Sequence, residues 1–157
     1  MMSALLRLYL DTSVYGDCFD PEFEVASRLV FRRIPKARIV VIVSEVVFRE
    51  LRRAPPHVQR VLASIPAELI VSVPIGKDVE MLRDAYIAEG IVGTRSLADA
   101  THVAAATVGR ANAILSWNFK DIVRFDHVAG FNRVNLHLGF GNLQIMSPDR
   151  IGFDDED

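Results

Sequence analysis

Residues 38–53 read RIVVIVSEVVFRELRR, a β-branched run that passes without a break into a stretch of helical character. Residues 38–43 are the strongest strand signal in the chain, because branched side chains pack well on a pleated surface. Ser44 stands where a helix cap belongs, and Pro55 and Pro56 stop the helix after Arg53. Strand followed directly by helix is half of a βαβ unit, and the flanking segments repeat it. Upstream, residues 6–10 form a short apolar run ended by Asp11, Thr12 and Ser13, as suits a buried strand. A helix is expected from about Pro21 to Ile34, with Pro21 in its first turn and Glu22 and Glu24 near the positive end of its dipole. Downstream come a short helix at 57–65, a strand at 69–73, a helix at 77–89 ended by Gly90, and an alanine-rich helix at 96–109. A strand at 113–116, a short helix through Phe125 and a last strand at 143–146 complete the pattern. Strands alternating with helices predict an α/β fold with a mostly parallel sheet and right-handed crossovers.

A chain of 157 residues, half of them hydrophobic, can bury one sizeable core and leaves little for a second. One domain is therefore expected over residues 1–150, followed by an acidic tail at 151–157. The longest apolar run, 39–48, is broken by Ser44 and Glu45 and falls well short of the roughly 20 residues that span a bilayer. Arg7 interrupts the stretch where a signal peptide would need an apolar region. The expectation is a cytoplasmic protein without a membrane anchor. A single cysteine, Cys18, excludes an internal disulfide and a cysteine-based zinc cage. The net charge of −2 conceals an asymmetry, since residues 154–157 are all acidic and the rest of the chain carries +2. Fifteen of the 18 basic residues are arginines. Bidentate contacts to carboxylate or phosphate favour such a bias, and so does an arginine-rich genome.

Four residues with carboxylate or carboxamide side chains lie at the edge or on the buried side of apolar segments: Asp11, Glu50, Asp99 and Asn118. An ionised carboxylate against a core must be paired, hydrogen-bonded or bound to a cation, so this set points to a divalent metal and a metal-dependent hydrolase. Each residue also has a plainer reading. Asp11 suits the turn after its strand. Glu50 lies three and four residues from Val47 and Val46, so it faces inward, where an arginine could equally pair it; Glu45 faces out beside Arg49. Ser96 and Asp99 have capping-box spacing, while Asp99 also shares a helix line with Val103 and Ala106. Asn118 could cap the short helix or ligate through its carbonyl. His57, His102, His127 and His137 lack metal-type spacing, and of these His102 stands one turn from Asp99. In a parallel sheet, sites form beyond the carboxyl ends of the strands where strand order reverses. Asp11 and Asn118 reach one crevice if their strands are neighbours.

The segments LYLDTSVYGD (8–17), SEVVFREL (44–51), SLADATHVAAA (96–106) and AILSWNFKDI (113–122) together resemble the PIN-domain nucleases, and more narrowly their VapC-like toxin branch. The resemblance implies a three-layer α/β/α sandwich and an endoribonuclease using Mg²⁺ or Mn²⁺. By it the acids map to Asp11, Glu50 and Asp99, with Asn118 where many relatives carry aspartate and Asp121 one helical turn on as a compensating ligand. Catalysis would then fall to Asp11, Glu50, Asp99 and Asn118, with the metal held by these and Asp121. Thr12, Ser13, Arg95 and Trp117 are expected to position substrate; Arg49, Arg52, Arg53 and Arg95, by their proximity to the motifs, suit phosphate contacts or equally an ordinary solvated face. The toxin branch implies an antitoxin partner in a type II toxin-antitoxin pair, an RNA substrate and a homodimer. Asn118 motivates the alternative of a degenerate domain that binds RNA or protein without cutting. Other classes fit less well. A phospho-receiver needs an aspartate where the third strand ends Val73-Pro74, a haloacid-dehalogenase phosphatase needs one where Ser13 stands, and a Rossmann module needs a glycine-rich turn after the first strand.

Overall fold

A computed structural model describes residues 5–153, so the acidic stretch 154–157 lies outside the described residues. Five strands, β1 (Arg7–Leu10), β2 (Val40–Ser44), β3 (Ile70–Val73), β4 (Ala113–Leu115) and β5 (Gln144–Met146), form one sheet in the order β3-β2-β1-β4-β5. Every pairing is parallel. Leu8, Tyr9 and Leu10 are consecutive in β1 and all fully buried, so both faces of the central strand are covered. That is the burial pattern of a parallel sheet between helical layers.

The helices are α1 (Thr12–Gly16), α2 (Glu24–Ala37), α3 (Glu45–Arg52), α4 (Pro56–Ala63), α5 (Lys77–Ala88), α6 (Leu97–Val108) and α7 (Phe125–His137). Strand order reverses between β1 and β4, which pair through Tyr9 and Ile114. The neighbour relation needed to bring Asp11 and Asn118 together is therefore present. The backbone continues the ladder one step past β1, with the Asp11 N–H donating to the Leu115 carbonyl at 3.0 Å. No helix among the described residues is long and apolar enough to cross a membrane.

Three expectations from sequence need correction. The helix placed at 21–34 runs instead over Glu24–Ala37. Asp20 organises a turn ahead of it, its Oδ1 accepting the Glu22 N–H at 2.8 Å, and Pro21 occupies that turn rather than the helix. At the other end the helix passes through Pro35, which forfeits one backbone bond, and closes where Arg38 adopts φ 52° and the Ile39 N–H returns to the Ile34 carbonyl. Ser44 does precede α3, but its hydroxyl makes no cap bond and points into the core.

The third correction is the largest. No short helix follows β4; residues 119–123 are turns, and α7 begins at Phe125. Its sequence, FDHVAGFNRVNLH, carries glycine, asparagine and β-branched residues that are weak helix formers. Tertiary packing overrides them. Phe131 is fully buried against Tyr86, and the Tyr86 hydroxyl donates to Asn135, whose Nδ2 donates to Thr107 at 3.2 Å. Gly130 lets Ile91 approach so closely that a Cβ there would lie 2.7 Å from its Cδ1.

Candidate functional site

The carboxyl end of β1 delivers Asp11, only 6% exposed, to the switch point of the sheet. Both hydrogen bonds to its Oδ2 come from hydroxyls: Ser13 donates at 2.9 Å and Ser116, just past β4, at 2.8 Å. Ser13 also accepts the Trp117 N–H at 3.1 Å, so one hydroxyl ties the ends of the two central strands together. A buried carboxylate is held here without a lysine or arginine.

Helix α3 brings Glu50 to the same place. Its Oε1 accepts from the Thr12 hydroxyl at 2.5 Å and lies 2.8 Å from His102 Nε2 on α6. The same His102 nitrogen lies 3.4 Å from Asp11 Oδ1. The helical-face argument holds: Val46 and Val47 are buried, Glu45 is exposed and Glu50 turns inward, with 38% of its side chain still open. Behind the ring, His102 Nδ1 lies 2.7 Å from the Tyr9 hydroxyl, itself 2.6 Å from Ser44 Oγ. All three of these side chains are buried.

Charge follows geometry. Burial pushes the Glu50 carboxyl up, but the hydrogen bond and charge of His102, then Thr12 and Arg49, outweigh it and hold the group below its ordinary value. Burial disfavours an imidazolium at His102, yet the Asp11 charge, the bond to Glu50 and the Glu50 and Asp99 charges raise it above the usual histidine range. Both shifts share a cause, since the contact between Glu50 and His102 favours the charged form of each.

Asp99 completes the cluster from the first turn of α6. Ser96 makes no side-chain cap bond, so the capping box that the spacing suggests is not formed. Asp99 Oδ1 instead accepts from Asn118 Nδ2 at 3.1 Å. Burial, then the charges of Asp11 and Asp121, push the Asp99 carboxyl up to about 6, helped by its hydrogen bond to Asp121. Asn118 does two jobs: its Oδ1 caps the following turn by accepting the Asp121 N–H at 2.9 Å, and its Nδ2 faces Asp99.

Among the described residues, Asp11, Glu50 and His102 offer ligand atoms that all lie within 4.8 Å of one another. Oxygen ligands stand about 2.0–2.6 Å from Mg²⁺ or Ca²⁺, so atoms this close together can share one ion. Two carboxylates and an imidazole are chemically fit to hold a divalent cation. A histidine ligand is oriented through its far nitrogen, and here the Tyr9 hydroxyl engages Nδ1. Sequence reasoning set His102 aside for want of a spacing motif. Its signal was its place one turn after Asp99 on a packed helix.

The remaining positions fall as follows. Thr12 and Ser13 commit their hydroxyls to Glu50 and Asp11. Trp117 is half-buried, stacked on Phe23 with centroids 4.3 Å apart, and its Nε1 donates to Ser27 at 2.8 Å. Arg95, in the 3-10 turn Thr94–Ser96, is exposed, as are Arg49, Arg52 and Arg53.

No protein-family model and no curated protein matches the chain. Its structure is similar to solved VapC toxins. The VapBC2 complex of Rickettsia felis, bound to a DNA fragment from its promoter, matches at a TM-score of 0.56 and 14% identity over 89% of this chain and 97% of that one. VapC20 of Mycobacterium tuberculosis, a sarcin-ricin loop cleaving toxin, matches at 0.56 and 15% identity over 86% and 97%. The likeness shows the fold: this is an α/β domain of the PIN-like architecture that the motifs imply.

Proposed function

We propose that the chain is a metal-dependent endoribonuclease acting as the toxin of a type II toxin-antitoxin pair. The observation that carries the reading is the convergence of Asp11, Glu50 and His102, with Asp99 close enough to feel the Asp11 charge, at the switch point of a fold shared with two VapC proteins. Asp11 and Glu50 would hold Mg²⁺ or Mn²⁺, with His102 as a third donor once its Nε2 is free of a proton. A cation held there would supply a Lewis acid for a phosphoryl oxygen and would lower the pKa of a water.

The chain's own groups do the rest. Ser13, Ser116 and Thr12 fix the carboxylates in place, which lowers the cost of ordering them when substrate arrives. Asp99, with a carboxyl titrating near 6, is suited to take a proton from an attacking water at ordinary pH. Asn118 orients Asp99 through Nδ2; with Oδ1 on the Asp121 N–H it serves better as a hydrogen-bond donor than as a carbonyl ligand. Asp121 acts on the site through its charge, which helps hold the Asp99 carboxyl up.

One neighbour is a VapBC2 complex bound to a DNA fragment from its promoter and the other is a sarcin-ricin loop cleaving toxin, which supports a cytoplasmic toxin with an antitoxin partner and an RNA substrate. A homodimer and a single domain over residues 1–150 with an acidic tail belong to the same reading. The test is cleavage of purified RNA with Mg²⁺ or Mn²⁺, with chelator, and by Asp11→Asn. Cleavage should need the metal and Asp11. RNA that is bound but never cut would favour the degenerate binding module that Asn118 suggests.

A further inference from the structure

The turn after β4 carries an aromatic group that neither the core nor the acid cluster uses. Phe119 directly follows Asn118, the residue whose amide donates to Asp99. Half of its surface is open to solvent. Its neighbour Trp117, the aromatic expected to meet substrate, has one face on Phe23 and its Nε1 on Ser27. Phe119 rests edge-on against Trp117, with centroids 6.1 Å apart and the ring planes 63° apart.

The turn that presents Phe119 is pinned at several points. The Phe119 N–H donates to the Trp117 carbonyl at 3.0 Å. The Ile122 and Val123 N–H groups both donate to the Asn118 carbonyl, and Ile122 is fully buried beneath them. His127 Nδ1 lies 2.8 Å from the Asp121 carbonyl and ties the far side of the turn to α7. A single exposed aromatic is ordinary on a protein surface. This one is held on a fixed turn, directly after the residue that donates to Asp99 and directly before the exposed Lys120.

We infer that Phe119 is a positioning residue on which a nucleobase of single-stranded RNA stacks next to the phosphate held at the acid cluster. Every base has a π-face, so stacking of this kind tolerates sequence but requires a base free of its duplex. The exposed Lys120, next in the chain, would supply charge for an adjoining phosphate. The inference rests on the ribonuclease reading and adds to it a demand for an unpaired substrate at this position.

The test compares wild type with Phe119→Ala, Phe119→Leu and Phe119→Trp. Binding of a fluorescein-labelled oligouridylate is read by anisotropy in chelator, alone and annealed to oligoadenylate, and cleavage kinetics are read with Mn²⁺. Melting curves confirm that each variant is folded. Phe119→Ala should weaken single-strand binding by about 10- to 100-fold, the usual loss for one stacked base. Phe119→Leu should behave like alanine, having no π-face, and Phe119→Trp should restore binding. The loss should fall on KM with kcat little changed, because stacking holds substrate and transition state alike. Duplex RNA should bind weakly to all four proteins. Equal binding by Phe119→Ala and wild type overturns the inference while leaving the nuclease reading in place. So does full activity of Phe119→Leu, which would assign the ring to an apolar protein contact. A wild-type protein that neither binds nor cuts RNA overturns both.

Discussion

His102 Nε2 lies 2.8 Å from Glu50 Oε1, and this contact makes the imidazole the counter-ion of an otherwise acidic pocket. The consequence is a pH dependence of fixed sign. A histidine held above its ordinary value stabilises the fold while protonated, and that contribution is complete below 6.5 and lost as pH rises through the folded value. In chelator, the melting temperature should therefore fall as pH is raised above 6.5. His102→Gln should flatten the decline, measured by melting curves across that range; an unchanged slope would remove His102 from this role.

Asp99, also held above its ordinary value, acts with the same sign at lower pH. Its carboxyl keeps a proton up to about 6 in the folded protein and only to 3.8 unfolded, so ionising it costs stability between those values. Asp99→Asn should hold the metal-free melting temperature level or raise it at neutral pH, and should abolish RNA cleavage. A variant that melts lower and still cuts would restore a purely structural role for Asp99.

Glu45 and Glu50 share one helix and face opposite ways. Glu45→Ala should change stability by under about 1 kcal/mol and leave cleavage intact, as exposed charges commonly do. Glu50→Ala should remove activity. Chemical denaturation beside an RNA assay checks both, and the reverse pattern would overturn the assignment made from helical spacing.

Tyr9 is the hidden support. Its hydroxyl joins His102 to Ser44 in the core, and burial keeps the phenol neutral by raising its pKa well above the usual value. Tyr9→Phe would leave buried polar groups on both partners unsatisfied, at a cost of about 1–3 kcal/mol. It should also weaken metal binding by about 10- to 100-fold, as loss of a histidine's outer partner does elsewhere. Calorimetric titration with Mn²⁺ is the measurement. Full affinity would mean that His102 does not ligate.

Much of this fold was legible because its signals are local. The run ending at Val43, the apolar strand ending at Asp11 and the glycine at position 90 each mark an element by side-chain type alone, and the five strands fall where those signals put them. Helix α7 was not legible, since its stability comes from Tyr86, Ile91 and Thr107, which are distant in sequence. The site divides in the same way. Asp11, Glu50 and Asp99 are marked by strand ends and helix spacing. His102 joins them only because α3 and α6 pack together across the end of the sheet, and Ser44 is drawn from its cap by a tyrosine 35 residues away. Pairings of that kind have no periodicity to betray them.

The most direct test of the central claim is thermal denaturation with and without Mn²⁺ for the wild-type protein and Asp11→Asn. If the acid cluster binds the ion only when folded, Mn²⁺ at about 100 times its dissociation constant should add about 2.7 kcal/mol to wild-type stability. The Asp11→Asn protein should show little or none of that gain. Equal stabilisation of both proteins, or of neither, would contradict a metal centre at Asp11.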